Sequence, residues 1–331
     1  MSKPKLLVIS TGGTITMTAA TGAAGIAPTL SADDLLAAVP GIGELAEIET
    51  ITFSTVPGAS LSFPQLLELA RYISQRCAGG VDGVVVIQGT DTIEETSFFL
   101  DLILPGDTPV VVTGAMRGAQ AAGADGPANL LASAIVATSA TARGRGVMVV
   151  LNDEIHAAIL VRKHHTSLTS AFVSSHTGPV GLVCEGRAAF LGGQPRARAV
   201  LPMPQAIADV AVVKACLGDD GRMLGRVAQL GYAGLVVEAM GAGHVPATWA
   251  DTLEGIAVDM PTILCARTVD GPVFRRTYGF KGSETDLLER GLVPAGILGP
   301  LKARLLLGVL LGNKTAPEAI RGHFEHWGYQ M

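Results

Sequence analysis

Short, nearly unbroken apolar runs recur along the first half of the chain: KLLVIS (5–10), VVVIQ (84–88), VVVT (110–113) and VMVVL (147–151). Two more, GLVVEA (234–239) and TILCA (262–266), follow in the second half. They are rich in β-branched residues and lack polar alternation, which predicts strands buried on both faces of a parallel sheet. Between them lie stretches with helical punctuation. Ser62-Phe63-Pro64-Gln65 reads as a capping box ahead of LLELARYISQRC, and Gly79-Gly80 closes that helix. Thr92-Ile93-Glu94-Glu95 reads as a second box, opening TSFFLDLIL. Pro127 opens ANLLASAIVATSA, Pro300 opens LKARLLLGVLLG, and Thr315–Glu318 opens the last helix. The pattern lapses from about 186 to 212, where Gly-Gly and three prolines fall. The expectation is an α/β protein of mostly parallel sheet, with domains at 1–190 and 213–331 joined by a linker at 191–212.

Composition narrows the class. Of 331 residues, 48% are hydrophobic and 16% charged, ample for a sizeable core. The net charge is -5 and no basic run occurs, which argues against nucleic acid or an anionic membrane as partner. The apolar runs fall far short of the roughly 20 residues of a membrane span. The N-terminus MSKPKLLVIS lacks the apolar core and cleavage site of a signal peptide, so a cytoplasmic protein is expected. Cys77, Cys184, Cys216 and Cys265 lie far apart without CxxC spacing, which predicts neither structural disulfides nor a cysteine metal site. No metal and no cofactor are expected.

Three of the predicted strands end in small, polar turns: Thr11-Gly12-Gly13-Thr14, Gln88-Gly89-Thr90-Asp91-Thr92, and Thr113-Gly114-Ala115-Met116-Arg117. Open α/β sheets bind ligands beyond the carboxyl ends of their strands, so adjacent strand ends would bring Thr14 near Thr90 and Asp91. Neither phosphate-loop spacing, G-x-x-x-x-G-K nor G-x-G-x-x-G, fits the first turn. On its own that turn is equally a hydroxyl-capped tight turn. Thr92 is explained as a helix cap, but Asp91 is not. Thr90-Asp91 ahead of a helix N-terminus suits the amine and carboxylate of a small ligand.

Together, STGGTI, QGTDTIEETSFFLDL, VVVTGAMR, GADGPANL, RGVMVVLNDEIHAA, RKHHT, YGFKGSETDLL and LKARLLLGVLL resemble the bacterial-type L-asparaginases, in this order and over essentially the whole chain. The resemblance implies a larger N-terminal α/β domain with a left-handed crossover and a smaller C-terminal α/β domain. It implies a homodimer or homotetramer with sites completed across subunits, and hydrolysis of L-asparagine to L-aspartate and ammonia. Thr14 is then the nucleophile, and the glycine pair lets substrate approach the backbone. Thr11 merely ends the strand. Thr90, Asp91 and Lys163 form a second catalytic cluster. A lysine beside a carboxylate keeps or sheds its proton according to its surroundings, and Asp91 takes the substrate α-amino group. Gly58, Ala59 and Ser60 hold the α-carboxylate, backbone at Ala115 meets the leaving amide, and Glu284 reaches the amine from a neighbouring subunit. Glu284 is equally a first-turn acid of its own helix. Asp125 and Arg117 are expected as a buried ion pair shaping the site floor.

The chain departs from the family pattern in several places. No tyrosine lies between Thr14 and Leu30, where many members carry one that activates the threonine; Tyr278 is a candidate replacement. Gly58-Ala59-Ser60 stands where Ser-Gln or Ser-Thr is common, which tilts the reading toward asparagine over glutamine. In AMGAGH, Ala242 stands where an asparagine is common, and position 105 is Pro105 where secreted members can carry a cysteine. A glutaminase-asparaginase or D-asparagine-active amidohydrolase is the alternative within the class. A catalytically weak amino-acid sensor is the alternative outside it.

Overall fold

The computed structural model describes residues 2–13, 17–19, 26–28, 31–192 and 199–329. The chain divides into two compact units, residues 1–200 and 201–331. In the first, the strands in chain order are β1 (Lys5–Ser10), β2 (Met17–Ala19), β3 (Ile26–Pro28), β4 (Glu47–Thr52), β5 (Gly83–Ile87), β6 (Val110–Thr113), β7 (Val147–Leu151), β8 (Glu154–Ala157), β9 (Arg162–Lys163), β10 (Phe172–Val173), β11 (Gly181–Cys184) and β12 (Arg187–Phe190). The helices are α1 (Ala32–Ala37), α2 (Ile42–Leu45), α3 (Phe63–Ala78), α4 (Ile93–Ile103) and α5 (Gly126–Ala137).

The four apolar runs of this half lie side by side inside an eight-stranded sheet, in the order β12-β11-β8-β7-β6-β5-β1-β4. From β4 to β7 every pairing is parallel; β8, β11 and β12 add an antiparallel end. Val84, Val85, Val86 and Ile87 are all fully buried, as a strand covered on both faces requires. On one face, Leu6, Val8, Val85, Ile87, Val111 and Val150 pack with Leu130 and Val136 of α5. The Ser62 box forms as expected: Gln65 Oε1 accepts from the Ser62 N–H at 2.9 Å and its hydroxyl at 2.8 Å.

The second unit holds β13 (Val210–Lys214), β14 (Gly234–Ala239), β15 (Thr262–Ala266) and β16 (Val293–Pro294), parallel throughout and in chain order. Its helices are α6 (Leu224–Val227), α7 (Ala247–Asp259), α8 (Glu284–Glu289), α9 (Pro300–Gly312) and α10 (Pro317–Tyr329). Leu235, Val237, Trp249, Leu253, Leu264 and Leu287 form a core of their own. The first strand of this sheet starts at Val210, within the stretch expected as linker; only its first two residues are buried. Among the described residues no helix is long and apolar enough to cross a membrane.

Candidate active site

β1, β5 and β6 are neighbours, so their carboxyl-end turns are neighbours too. Thr11 ends β1 with its N–H and its hydroxyl both donated to Ile87 O, at 2.9 and 3.1 Å. Ser54 Oγ donates to Thr11 O at 2.9 Å. The chain then turns through Gly12 (φ +105°) and Gly13 (φ +100°). A Cβ on Gly12 would stand 2.6 Å from Val56 O, and one on Gly13 would stand 2.2 Å from Gly89 N. Both positions therefore need glycine for conformation and for space. Thr14, next in the motif, lies outside the described residues.

Thr90 and Asp91 occupy a single 3-10 turn (Thr90–Thr92) between β5 and α4. Lys163 sits on β9, where its own N–H donates to Glu94 Oε2 at 2.8 Å. From that anchored backbone its Nζ donates to Thr90 Oγ1 and to Asp91 Oδ1, each at 2.9 Å. Thr90 and Asp91 thus both lie within hydrogen-bonding reach of Lys163. Their exposures differ usefully: Thr90 is 7% exposed, the Lys163 side chain 20% and the Asp91 side chain 63%. So open an ion pair adds little stability, and it leaves Asp91 accessible to a cationic ligand. A neutral lysine amine at the same distance would accept the Thr90 hydroxyl proton. His164 and His165 are exposed, and His165 Nδ1 accepts from Ser167 N–H at 3.1 Å.

Gly58–Ser60 forms another 3-10 turn, packed directly on the second: a Cβ on Gly58 would stand 2.8 Å from Gly89 O. Gly58 is buried, while Ala59 and Ser60 are exposed. The capping box expected at Thr92 does not form. Thr92 makes no side-chain cap; its hydroxyl donates to Gly58 O at 3.0 Å and accepts from Gln88 Nε2 at 2.8 Å. The sequence shows a capping pattern there, but a partner 34 residues away takes the hydroxyl.

The third turn joins through Gly114, whose Cβ would stand 2.5 Å from Gln88 O, with Ala115 buried beside it. The buried ion pair expected between Arg117 and Asp125 does not form either. Asp125 accepts the N–H groups of Met116 and Arg117, each at 2.9 Å, while the exposed Arg117 guanidinium donates to Gly123 O. Backbone N–H groups were the nearer partners for that carboxylate. Asn129, which sequence reasoning missed, donates to Gly114 O and to Asp125 and accepts from Asn152 N–H.

In the second unit Glu284 is fully buried at the start of α8. It stands in the first turn of its own helix, as expected, while Ser283 is the N-cap, accepting from Asp286 N–H at 3.4 Å. Glu284 Oε1 accepts from the N–H groups of Thr277 (2.9 Å) and Tyr278 (2.8 Å), and Oε2 lies 3.2 Å from His244 Nε2. Burial opposes the charge, but the backbone N–H groups of Tyr278, Thr277 and Glu284 itself, together with His244, outweigh it and hold the carboxyl below its ordinary pKa. Tyr278 and Phe280 are exposed and set their rings edge-on to His244, at 4.8 and 5.1 Å. No sequence signal pointed to His244. Among the described residues no group of three His, Cys, Asp or Glu side chains could hold a metal ion.

Two family models account for nearly the whole chain: asparaginase, N-terminal, over residues 5–196, and glutaminase/asparaginase C-terminal domain over residues 209–324. The chain belongs to the asparaginase family. The first match spans the Thr11–Thr14, Gly58–Ser60, Thr90–Asp91, Ala115 and Lys163 positions, and the second spans Glu284. Among its relatives is a probable L-asparaginase from Deinococcus radiodurans, 37% identical over 98% of each chain. Another is an L-asparaginase from Bacillus licheniformis, 31% identical over 93% of this chain and 96% of the relative. A solved structure of a probable cytoplasmic L-asparaginase from Campylobacter jejuni matches with a TM-score of 0.87 at 30% identity, covering 97% of this chain and 99% of that one. The larger, mostly parallel N-terminal α/β sheet and the smaller C-terminal one are thus those of an asparaginase-family enzyme.

Proposed function

We propose that this asparaginase-family enzyme hydrolyses the side-chain amide of L-asparagine to L-aspartate and ammonia. The single observation that carries the reading is Lys163 Nζ donating to both Thr90 and Asp91 beside the Gly13 turn. Thr14 is the nucleophile: its oxygen bonds to the amide carbon, its proton passes to the leaving nitrogen, and ammonia departs. Water then cleaves the acyl ester, releasing L-aspartate and restoring the hydroxyl. Thr90, paired with Lys163, orients water and shares the base role. Backbone N–H groups near Thr14 and Thr90 hold the oxyanion, each worth about 3 kcal/mol in such sites. Thr11 is a poor rival to Thr14, since its hydroxyl is committed to Ile87 O.

Asp91 binds the α-amino group, Gly58–Ser60 the α-carboxylate, and Ala115 backbone the leaving amide. Glu284, held charged, reaches the amine from a neighbouring subunit of a homodimer or homotetramer. The protein works in the cytoplasm, with no nucleic-acid or membrane partner. Ammonia release from L-asparagine, D-asparagine and L-glutamine tests the reading. L-asparagine is expected to dominate, and Thr14→Ala to lose at least about a thousandfold of rate while Thr11→Ala keeps most of it. Asparagine binding without ammonia release would replace the enzyme with a sensor. Activity surviving in Thr14→Ala but lost in Thr11→Ala would move the nucleophile.

A further inference from the structure

Gln88 and Thr92 take no part in the chemistry above, yet they join the two turns that would hold opposite ends of the amino acid. Gln88 is 1% exposed and fixed to the sheet by its N–H, which donates to Thr113 O at 2.9 Å. Its side chain donates to Thr92 Oγ1 at 2.8 Å, and that hydroxyl donates to Gly58 O at 3.0 Å. The Gly58–Gly89 backbone contact sets how closely the two turns can approach. The hydrogen-bonded relay sets how far apart they can move. Thr92 has given up its helix-capping bond to make this link.

We propose that Gln88 and Thr92 are positioning residues that fix the span between the Gly58–Ser60 turn and the Thr90–Asp91 turn, and so impose a preference for the four-carbon amino-acid amide over its five-carbon homologue. The inference rests on the amidohydrolase reading. With the α-carboxylate on one turn and the α-amine on the other, the α-carbon is fixed. Only one side-chain length then brings the amide carbon to the nucleophile. A released Gly58–Ser60 turn lets the α-carbon retreat, and the glutamine amide can enter register.

The test is kcat/KM for L-asparagine and L-glutamine in the parent, Thr92→Val, Thr92→Ser and Gln88→Met. The valine and methionine variants are expected to lose about tenfold of the asparagine preference, the scale of discrimination that one methylene gives in a fitted pocket. Thr92→Ser, which keeps the hydroxyl, retains the preference. An equal fall on both substrates, or an unchanged ratio, overturns the proposal, since a merely structural role scales both alike. Thermal melting checks each fold, and Thr92→Ala replaces any variant that fails it. Where turnover is too slow to measure, binding of L-aspartate against L-glutamate reads the same ratio. A parent inactive on every amide fails the amidohydrolase reading alone, and the binding ratio still decides the relay.

Discussion

Gly13→Ala places a single methyl group where the two central turns meet. The new Cβ would stand 2.2 Å from Gly89 N and 2.3 Å from Gly89 Cα, whereas ordinary contact begins at 3.4 Å. Both atoms are backbone and cannot swing aside, so the turns must part by about 1 Å. The φ of +100° adds roughly 1–2 kcal/mol of strain for any L-residue. A misplacement of about 1 Å between nucleophile and substrate costs on the order of a hundredfold in rate, or about 3 kcal/mol. The assay is kcat/KM for ammonia release from L-asparagine, with thermal melting and circular dichroism to follow the fold. The expected outcome is about a hundredfold loss of kcat/KM and a melting point lowered by several degrees. Gly43→Ala is the control: its Cβ meets nothing within 4 Å and its backbone is helical. A Gly13→Ala protein working close to the parent's rate would show that this contact does not set the site's geometry.

Burial holds His156 down at about 4, against an ordinary value of 6.5. The unfolded chain therefore takes up a proton that the folded one refuses, and stability present above the ordinary value drains as pH falls toward 4. About 2 kcal/mol should be gone by pH 5. His156→Gln should flatten that part of the curve in denaturant titrations at pH 8 and 5, and identical slopes would refute it. Asp91→Asn should weaken turnover of asparagine by about tenfold or more, through loss of a charge-assisted bond, while sparing an amide analogue without the amine; equal losses would place Asp91 in the chemistry or the fold. Thr14→Ala and Glu284→Ala, each inactive, should regain activity when mixed and reassembled, because a mixed dimer holds one site free of both defects. No recovery, with subunit exchange verified, would put Glu284 in its own subunit's site.

The interior of the fold was legible because its strands carry continuous apolar runs. β4 was not, since Glu47–Thr52 lies at the sheet's edge with exposed and half-buried positions and carries no continuous apolar run. β13 was hidden differently: its short apolar run, Val210–Val213, straddles the end of the stretch expected as linker. The glycines of the first turn could be recognised as unusual, but the reason for both emerged only with Val56 and Gly89 pressed against them. Asp91 stood out as a residue that the helix cap expected at Thr92 does not explain. Lys163 stood out only through family likeness, because the link between β9 and α4 made by Glu94 leaves no trace in local spacing. Thr92 shows the converse failure: a sound local capping pattern lost to a distant carbonyl.

β1 lies between β4 and β5, and both of its neighbours come later in the chain. Lys5 pairs with Glu47, and Leu6 with Gly83. On the ribosome β1 emerges before either of its neighbours, an apolar segment that meets its first partner only when residues 47–52 follow and is paired on both edges only when residues 83–87 do. Loop closure over such separations is slow relative to local helix formation. Until then, that segment is open to chaperones and to mispairing. The Gly13–Gly89 contact cannot exist before β5 is seated, so the candidate site is assembled late and reports on completion of the sheet. Mutations that slow β1–β5 pairing should reduce the yield of active enzyme while leaving the specific activity of folded molecules unchanged.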